Sequence, residues 1–323
     1  MRTILYLFSN LLFLLVLQVT ARADPPDPFF VQHYDNRNGL SNSSINHIFR
    51  DANNILWIAT WDGLNMYDGT TFHVFNYSKE NDPIAIGFKS IGSNVIQYIT
   101  EDKSGNIWIA TIGGISRFEK RSGKFYNYFY NHNQRGRISE QEYALAVDTA
   151  GSVYCLNQKS GLSYYDASID SFRVCILPQQ TSKISKIAFD EVNHLWLLNS
   201  NGELEAWSLS KRHQFNYLRT YRERTNIVNF FQVNHQLFFS TADDQLFSID
   251  NTLAPQKKVL QMKQGISSMI FYKEHYLLAG ASKGYDVYDN TFHPSSFLAA
   301  ESRQLQGDRK STRLNSSHRT GSR

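Results

Sequence analysis

A chain of 323 residues with 14% aromatic and 19% charged residues has ample material for a core and is too aromatic for a disordered class. Its formal net charge is +4, but Arg2 and Arg22 lie in the first 23 residues, and the last 23 carry six basic residues against two acids. The body between is left at about −2, so the basic balance gives no support to nucleic-acid binding, and no nucleic-acid partner is expected.

Residues 1–23, "MRTILYLFSNLLFLLVLQVTARA", read as a secretory signal peptide. Arg2 supplies the positive start, Ile4 to Leu17 the apolar middle, and Ala21-Arg22-Ala23 a small-x-small cleavage site. The alternative is an uncleaved anchor, for which the apolar stretch is short and interrupted by Ser9-Asn10. Residues 24–44 contain "FFVQHY" (29–34), whose alternation predicts a lead-in strand able to close a final blade.

From residue 45 the chain repeats itself. In the first copy "INHIFRD" (45–51), "ILWIAT" (55–60), "GLNMYD" (63–68) and "TFHVFNY" (71–77) predict four short strands separated by turns, which is one propeller blade. The position of Trp57 recurs as Trp108, Tyr154, Trp196, Phe238 and Leu277, at a spacing of roughly 40 to 50 residues. The turn glycine of the second hairpin recurs as Gly63, Gly114, Gly161, Gly202 and Gly284, with Asp244 in the fifth copy. The repeat predicts an all-β fold: a β-propeller of four-stranded antiparallel blades, six of them visible over residues 45–300. A single four-stranded sheet cannot hide two apolar faces, so stacked blades bury them against one another. The row Trp57, Trp108, Tyr154 and Trp196 is therefore read as inter-blade packing.

Cys155 is placed on the second strand of blade three and Cys175 on its fourth. Two strand spacings of about 4.8 Å exceed disulfide reach, which predicts two free thiols. After residue 300 the alternation stops. Residues 301–323 resemble translated vector sequence, "DRKSTRLNSSH", and are set aside as a non-native or disordered tail.

The runs "INHIFRDANNILWIATWDGLNMYDGTTFHVF" and "VIQYITEDKSGNIWIATIGGISRFEKRSGKFYNY" resemble the repeats of the two-component regulator propeller family. Ala59 and Ala110 stand where that family usually has glycine, "YDNRNGLSNSSI" (34–45) resembles its first-blade start, and "NDP" (81–83) its first-blade loop. Blades one and two carry the resemblance most strongly, and blades five and six carry it by pattern alone. The resemblance implies the periplasmic sensor region of an inner-membrane hybrid histidine kinase, with seven blades to a complete ring. It also implies an oligosaccharide ligand released from a glycan, a homodimer in the complete protein, and membrane contact only through a C-terminal region missing from this chain. The chain itself carries no kinase phosphoacceptor segment and no ATP-binding glycine pattern, and is read as a sensor fragment rather than an enzyme.

The alternatives are a secreted propeller glycosidase or lyase acting on polysaccharide, a scaffold, or a quinone-cofactor propeller. An enzyme would need paired carboxylates that break the repeat. Instead Asp51, Asp102, Asp190, Asp68 and Asp166 sit at repeat-fixed turn positions, where aspartate caps turns through its own side chain. His194, His235 and His275 recur in the turn before the Trp57-equivalent strand and are read as turn residues. No catalytic residue, metal site or cofactor is expected. One residue departs from the pattern: Trp61, at a hairpin tip where other copies carry Ile112, Gln158, Ser200, Ala242 and Ala281. Trp61 could stack on the apolar face of a sugar ring, with Asp62 accepting hydroxyl hydrogen bonds. The plainer alternative is that Trp61 packs on the 78–94 loop.

Overall fold

A computed structural model describes residues 32–78, 90–129, 143–157, 161–177, 183–210, 213–250, 252–280 and 284–295. Residues 1–31 and 296–323, which include the stretches read as a signal peptide and a C-terminal tail, lie outside the described residues, as does "NDP" (81–83). The body His33–Pro294 is a six-bladed all-β propeller.

Blade one holds β1 (Ile45–Arg50), β2 (Leu56–Thr60), β3 (Leu64–Tyr67) and β4 (Phe72–Phe75). Blade two holds β5 (Ile96–Glu101), β6 (Ile107–Thr111), β7 (Ile115–Glu119) and β8 (Lys124–Tyr128). Blade three holds β9 (Tyr143–Val147), β10 (Val153–Asn157), β11 (Gly161–Asp166) and β12 (Ser171–Val174). Blade four holds β13 (Ile184–Phe189), β14 (His194–Asn199), β15 (Leu204–Ser210) and β16 (Gln214–Tyr221). Blade five holds β17 (Ile227–Val233), β18 (Gln236–Thr241), β19 (Gln245–Ile249) and β20 (Lys257–Gln261). Blade six has three strands, β21 (Ile266–Tyr272), β22 (His275–Gly280) and β23 (Gly284–Asp289), with an isolated bridge from Tyr288 to Pro294. Each sheet is an antiparallel meander in chain order.

Consecutive blades meet through their first strands: β1 and β2 against β5, β5 and β6 against β9, β9 against β13, β14 against β17, and β17 against β21. The first strand of each blade is therefore innermost, nearest the propeller axis.

The bulky second-strand residue of blades one to five packs into the next blade. Trp57 meets Phe118 with ring centroids 5.5 Å apart, Trp108 meets Tyr165 at 4.7 Å, and Tyr154 meets Phe189 at 4.9 Å. Trp196 lies in one cluster with Ile227 and Phe230 of blade five, and Phe238 meets Tyr276 of blade six at 5.6 Å. Trp57, Trp108, Tyr154, Trp196 and Phe238 are all buried, as the repeat predicts. A second row answers them from the first strands: Ile99, Leu145, Ile187, Phe230 and Met269 are at most 5% exposed. The equivalent residue of blade one, Ile48, is 56% exposed. At the other end Leu277 is only half-buried. Among the described residues, the outward faces of blades one and six thus lack the partner that every internal face has.

Asp51, Asp102, Asp148 and Asp190 each end a first strand and close the following turn. The N–H of each donates to the carbonyl four residues on, and its own carbonyl accepts from the residue three on. That third residue is left-handed: Asn54, Gly105, Gly151 and Asn193. Blades five and six replace this loop with a two-residue turn, Asn234-His235 and Lys273-Glu274, with positive φ at both positions. The change shortens the repeat after blade four. In the second hairpin Gly63 has φ +111 and Gly202 φ +73, and Asp244 takes the same left-handed region at φ +60.

One expectation falls largely outside the described residues, since 29–31 of "FFVQHY" are among those not described, and one is corrected. Residues 32–44 hold no strand: Asp35 caps a 3-10 turn over Asn36–Asn38, and Gly39 ends it at φ +101. A run of Asp, Asn and Gly favours side-chain-capped turns over ladder pairing. Cys175 lies one residue beyond β12, its N–H donating to Leu162 O at 2.7 Å. Both cysteines are free and buried. Cys155 faces the blade-two cluster around Trp108, whereas Cys175 faces the blade-four cluster around Tyr154, so the sheet itself stands between them.

Candidate functional site

The inner strands share a local irregularity. Ile45, Ile96, Ile184, Ile227 and Ile266 each pair opposite the last residue of their second strand, and the residue after each is bulged out of the ladder. Pairing resumes at His47, Tyr98, Lys186, Asn229 and Ser268. Blade three pairs without a shift and places Ala144 at that level. A bulge re-aims the side chains beside it, so one layer of the inner strands carries polar groups from five blades.

The layer is electropositive. Lys186 Nζ donates to Asn229 Oδ1 at 2.7 Å and to Phe230 O at 2.6 Å, and it lies 4.7 Å from the centroid of the Phe230 ring. Burial pushes its ammonium down to about 8. Among the described residues no carboxylate pairs with it. His47 stacks on Tyr98 at 4.3 Å, and its Nδ1 accepts from the Ile99 N–H at 3.3 Å, which leaves the proton of a neutral ring on Nε2. Burial, helped by the charge of Lys186, pushes the His47 ring down to about 4. Tyr98 is 38% exposed, yet desolvation raises its hydroxyl, as expected of a side chain facing water confined by protein. The single acid on the six first strands, Glu101, lies three residues farther along. It is engaged by Lys120 Nζ at 2.6 Å and the Ala52 N–H at 2.7 Å.

Trp61 lies at the β2–β3 turn and is 49% exposed. Its N–H donates to Ser44 O at 3.1 Å, which holds this turn beside the start of β1, with His47 two residues inside the strand. Asp62 Oδ1 accepts from Asn94 Nδ2 at 2.8 Å, leaving its second oxygen available. Residues 79–89, the centre of the loop weighed as the alternative partner of Trp61, lie outside the described residues, as do Gln158 and Ala281.

The repeat aspartates are structural. Asp51 Oδ2 accepts from Trp57 Nε1 at 3.0 Å, Asp102 Oδ2 from Trp108 Nε1 at 2.8 Å, and Asp190 Oδ2 from Trp196 Nε1 at 2.9 Å. The turn histidines are bound locally: His194 Nδ1 lies 3.0 Å from Asp190 Oδ2, His235 Nδ1 2.6 Å from Glu191, and His275 Nδ1 2.6 Å from Lys273 O. The alternation pattern singled out Trp61 and Asp62. It passed over His47, Tyr98, Lys186 and Asn229, because a bulge leaves no mark in a polar-apolar rhythm; the shared offset from the repeat isoleucine is the signal that finds them.

The described residues define a β-propeller whose inner strands carry a polar layer. Residues 39–62 and 90–113, in blades one and two, match the two component regulator propeller family. Among solved structures it is similar to the extracellular domain of BT3049 from B. thetaiotaomicron, described as a hybrid two component system. That match has a TM-score of 0.61 and 20% identity over 83% of this chain and 36% of that one. It is also similar to the extracellular domain of BT4673 from the same organism, with a TM-score of 0.59 and 18% identity over 83% and 38%. A streptogramin B lyase matches with a TM-score of 0.57 and 13% identity over 80% and 83%. At these identities the structural likeness concerns the fold. The chain spans about a third of the length of the BT3049 domain. Among curated proteins none matches it. No helix among the described residues is long and apolar enough to cross a membrane.

Proposed function

We propose that this propeller is the periplasmic ligand-sensing region of a hybrid two-component sensor histidine kinase, exported by the signal peptide at residues 1–23. Its ligand is a glycan-derived oligosaccharide, and the kinase that receives the signal lies in the cytoplasmic part of the whole protein, which acts as a homodimer. The observation that carries the reading is the family match in blades one and two, on a fold shared with extracellular domains of hybrid two component systems.

The residues suit a receptor. Trp61 offers an accessible indole face and Asp62 an open carboxylate oxygen in the turn of blade one held beside the start of β1. Hydrolysis or elimination would need an acid and a base aimed at one bond, and the one carboxylate on the inner strands is held by Lys120. A ligand acts on such a module by binding one arrangement of the full protein better than another.

Calorimetric titration of the exported chain against a panel of plant and host glycan oligosaccharides tests the reading. At least one should bind with a Kd in the micromolar range, and Trp61→Ala should weaken it about tenfold while Trp207→Phe leaves it unchanged. No binding across the panel contradicts sensing, and unchanged affinity in Trp61→Ala removes Trp61 from the site.

A further inference from the structure

The inner layer has a chemistry that the sensing reading does not use, and the inference drawn from it rests on that reading. Lys186 has three N–H donors, and two are taken by Asn229 Oδ1 and Phe230 O. His47 presents Nε2–H, since its Nδ1 already accepts from Ile99. The Tyr98 hydroxyl has no partner among the described residues, and neither does the hydroxyl of Ser240, the buried cross-strand neighbour of Asn229. His47, Tyr98, Lys186 and Asn229 hold the same register position, directly after the same bulge, on the inner strands of four blades. The charged groups of the six first strands are His47, Arg50, Lys186 and Glu101, and Glu101 is already neutralised by Lys120. A buried ammonium without a carboxylate is costly to fold around, and a wall of donors that lacks an anionic acceptor is the complement of a carboxylate.

We propose that Lys186, His47 and Tyr98 form an anion subsite on the inner strands that receives the carboxylate of an acidic sugar. Lys186 contributes its third N–H and its charge, and His47 and Tyr98 donate from blades one and two. Asn229 is a positioning residue: its Oδ1 accepts from the ammonium and fixes it at this level.

The test uses the exported chain with glucuronate, its methyl ester and glucose, which share shape and differ in charge, and with acetate as a carboxylate without a sugar. Glucuronate should bind at least tenfold more tightly than the ester or glucose, and more tightly than acetate. Lys186→Met should abolish the preference for glucuronate over its ester and glucose. Acetate equal to glucuronate would mean an anion site indifferent to sugar, and would overturn the assignment of ligand class. Equal affinity for glucuronate and its ester overturns the subsite but leaves sensing of neutral sugars standing, whereas no binding of any sugar counts against both. Should Lys186→Met fail to fold, wild-type protein still decides the matter through amine labelling read by mass spectrometry. Glucuronate should slow trinitrophenylation of Lys186 at least fivefold and leave Lys263 unaffected; an unchanged rate overturns the proposal.

Discussion

Trp196 and Asp190 lie six residues apart and are joined by a 2.9 Å hydrogen bond from the indole Nε1 to Oδ2, while Oδ1 of the same carboxylate accepts the backbone N–H groups of Val192 and His194. One buried side chain thus closes the turn between two strands and fixes the large ring that the next blade packs on. Trp57–Asp51 and Trp108–Asp102 repeat the device. Where blade three has Tyr154, its hydroxyl turns to His213 Nδ1 at 2.6 Å, and Asp148 keeps the turn through Ser152.

Removing the carboxylate strands several buried donors together. Asp190→Ala should lower unfolding free energy by about 3 kcal/mol, and Trp196→Phe, which loses the indole N–H, by about 1 kcal/mol. Urea denaturation followed by circular dichroism measures both. A loss below about 1 kcal/mol for Asp190→Ala would show that the turn does not depend on it.

The two end faces predict an asymmetry between equivalent residues. Ile99→Ala empties a position sealed by Trp57 and blade two, and should cost about 3 kcal/mol. Ile48→Ala, at the same repeat position but 56% exposed, should cost under about 1 kcal/mol. Equal costs would mean that Ile48 is covered in solution.

Gly202 and Gly161 share a left-handed backbone but differ in surroundings. A Cβ on Gly202 would lie 2.4 Å from Asn226 Cβ, whereas one on Gly161 would meet nothing within 4 Å. Gly161→Ala should cost about 1 kcal/mol from backbone strain alone, and Gly202→Ala about 3 kcal/mol. The difference in urea midpoints checks this directly.

His47 sets a pH window. Burial first, and then the charge of Lys186, lowers its folded-state pKa from 6.5 to about 4. Between those values the unfolded chain binds a proton that the folded chain does not. The contribution of His47 is therefore fully present above pH 6.5 and falls as pH drops toward 4, by up to about 3 kcal/mol. His47→Gln should flatten stability across that window. An NMR titration should find the His47 ring near pH 4 in the wild type and higher in Lys186→Met.

The thiols should be inert. Burial pushes Cys175 up to about 12 and Cys155 higher still, so neither presents a thiolate at pH 8. Ellman's reagent should find no reactive thiol in the native protein and two in urea. Fast native labelling of either would place it at a surface.

Blade number, strand order and the burial of Trp57, Trp108, Tyr154 and Trp196 were legible because each blade must hide the same bulky ring at the same offset. Gly63 and Gly202 were legible because their turns require positive φ. The inner layer was not, since Lys186 and Asn229 stand in strands whose rhythm looks ordinary until the bulge at Ser185 and Val228 is known. Capping explained only half of Asp51, Asp102 and Asp190: the second oxygen serves the indole, a contact made through the fold of the hairpin.

The account turns on a propeller that holds a ligand without changing it. Incubating the exported chain for a day with an oligosaccharide it binds, then analysing both protein and sugar by native mass spectrometry, tests this most directly. One oligosaccharide per chain, recovered at its original mass, is the predicted result. Shortened or unsaturated products that track with the protein would instead make it an enzyme and contradict the sensor reading.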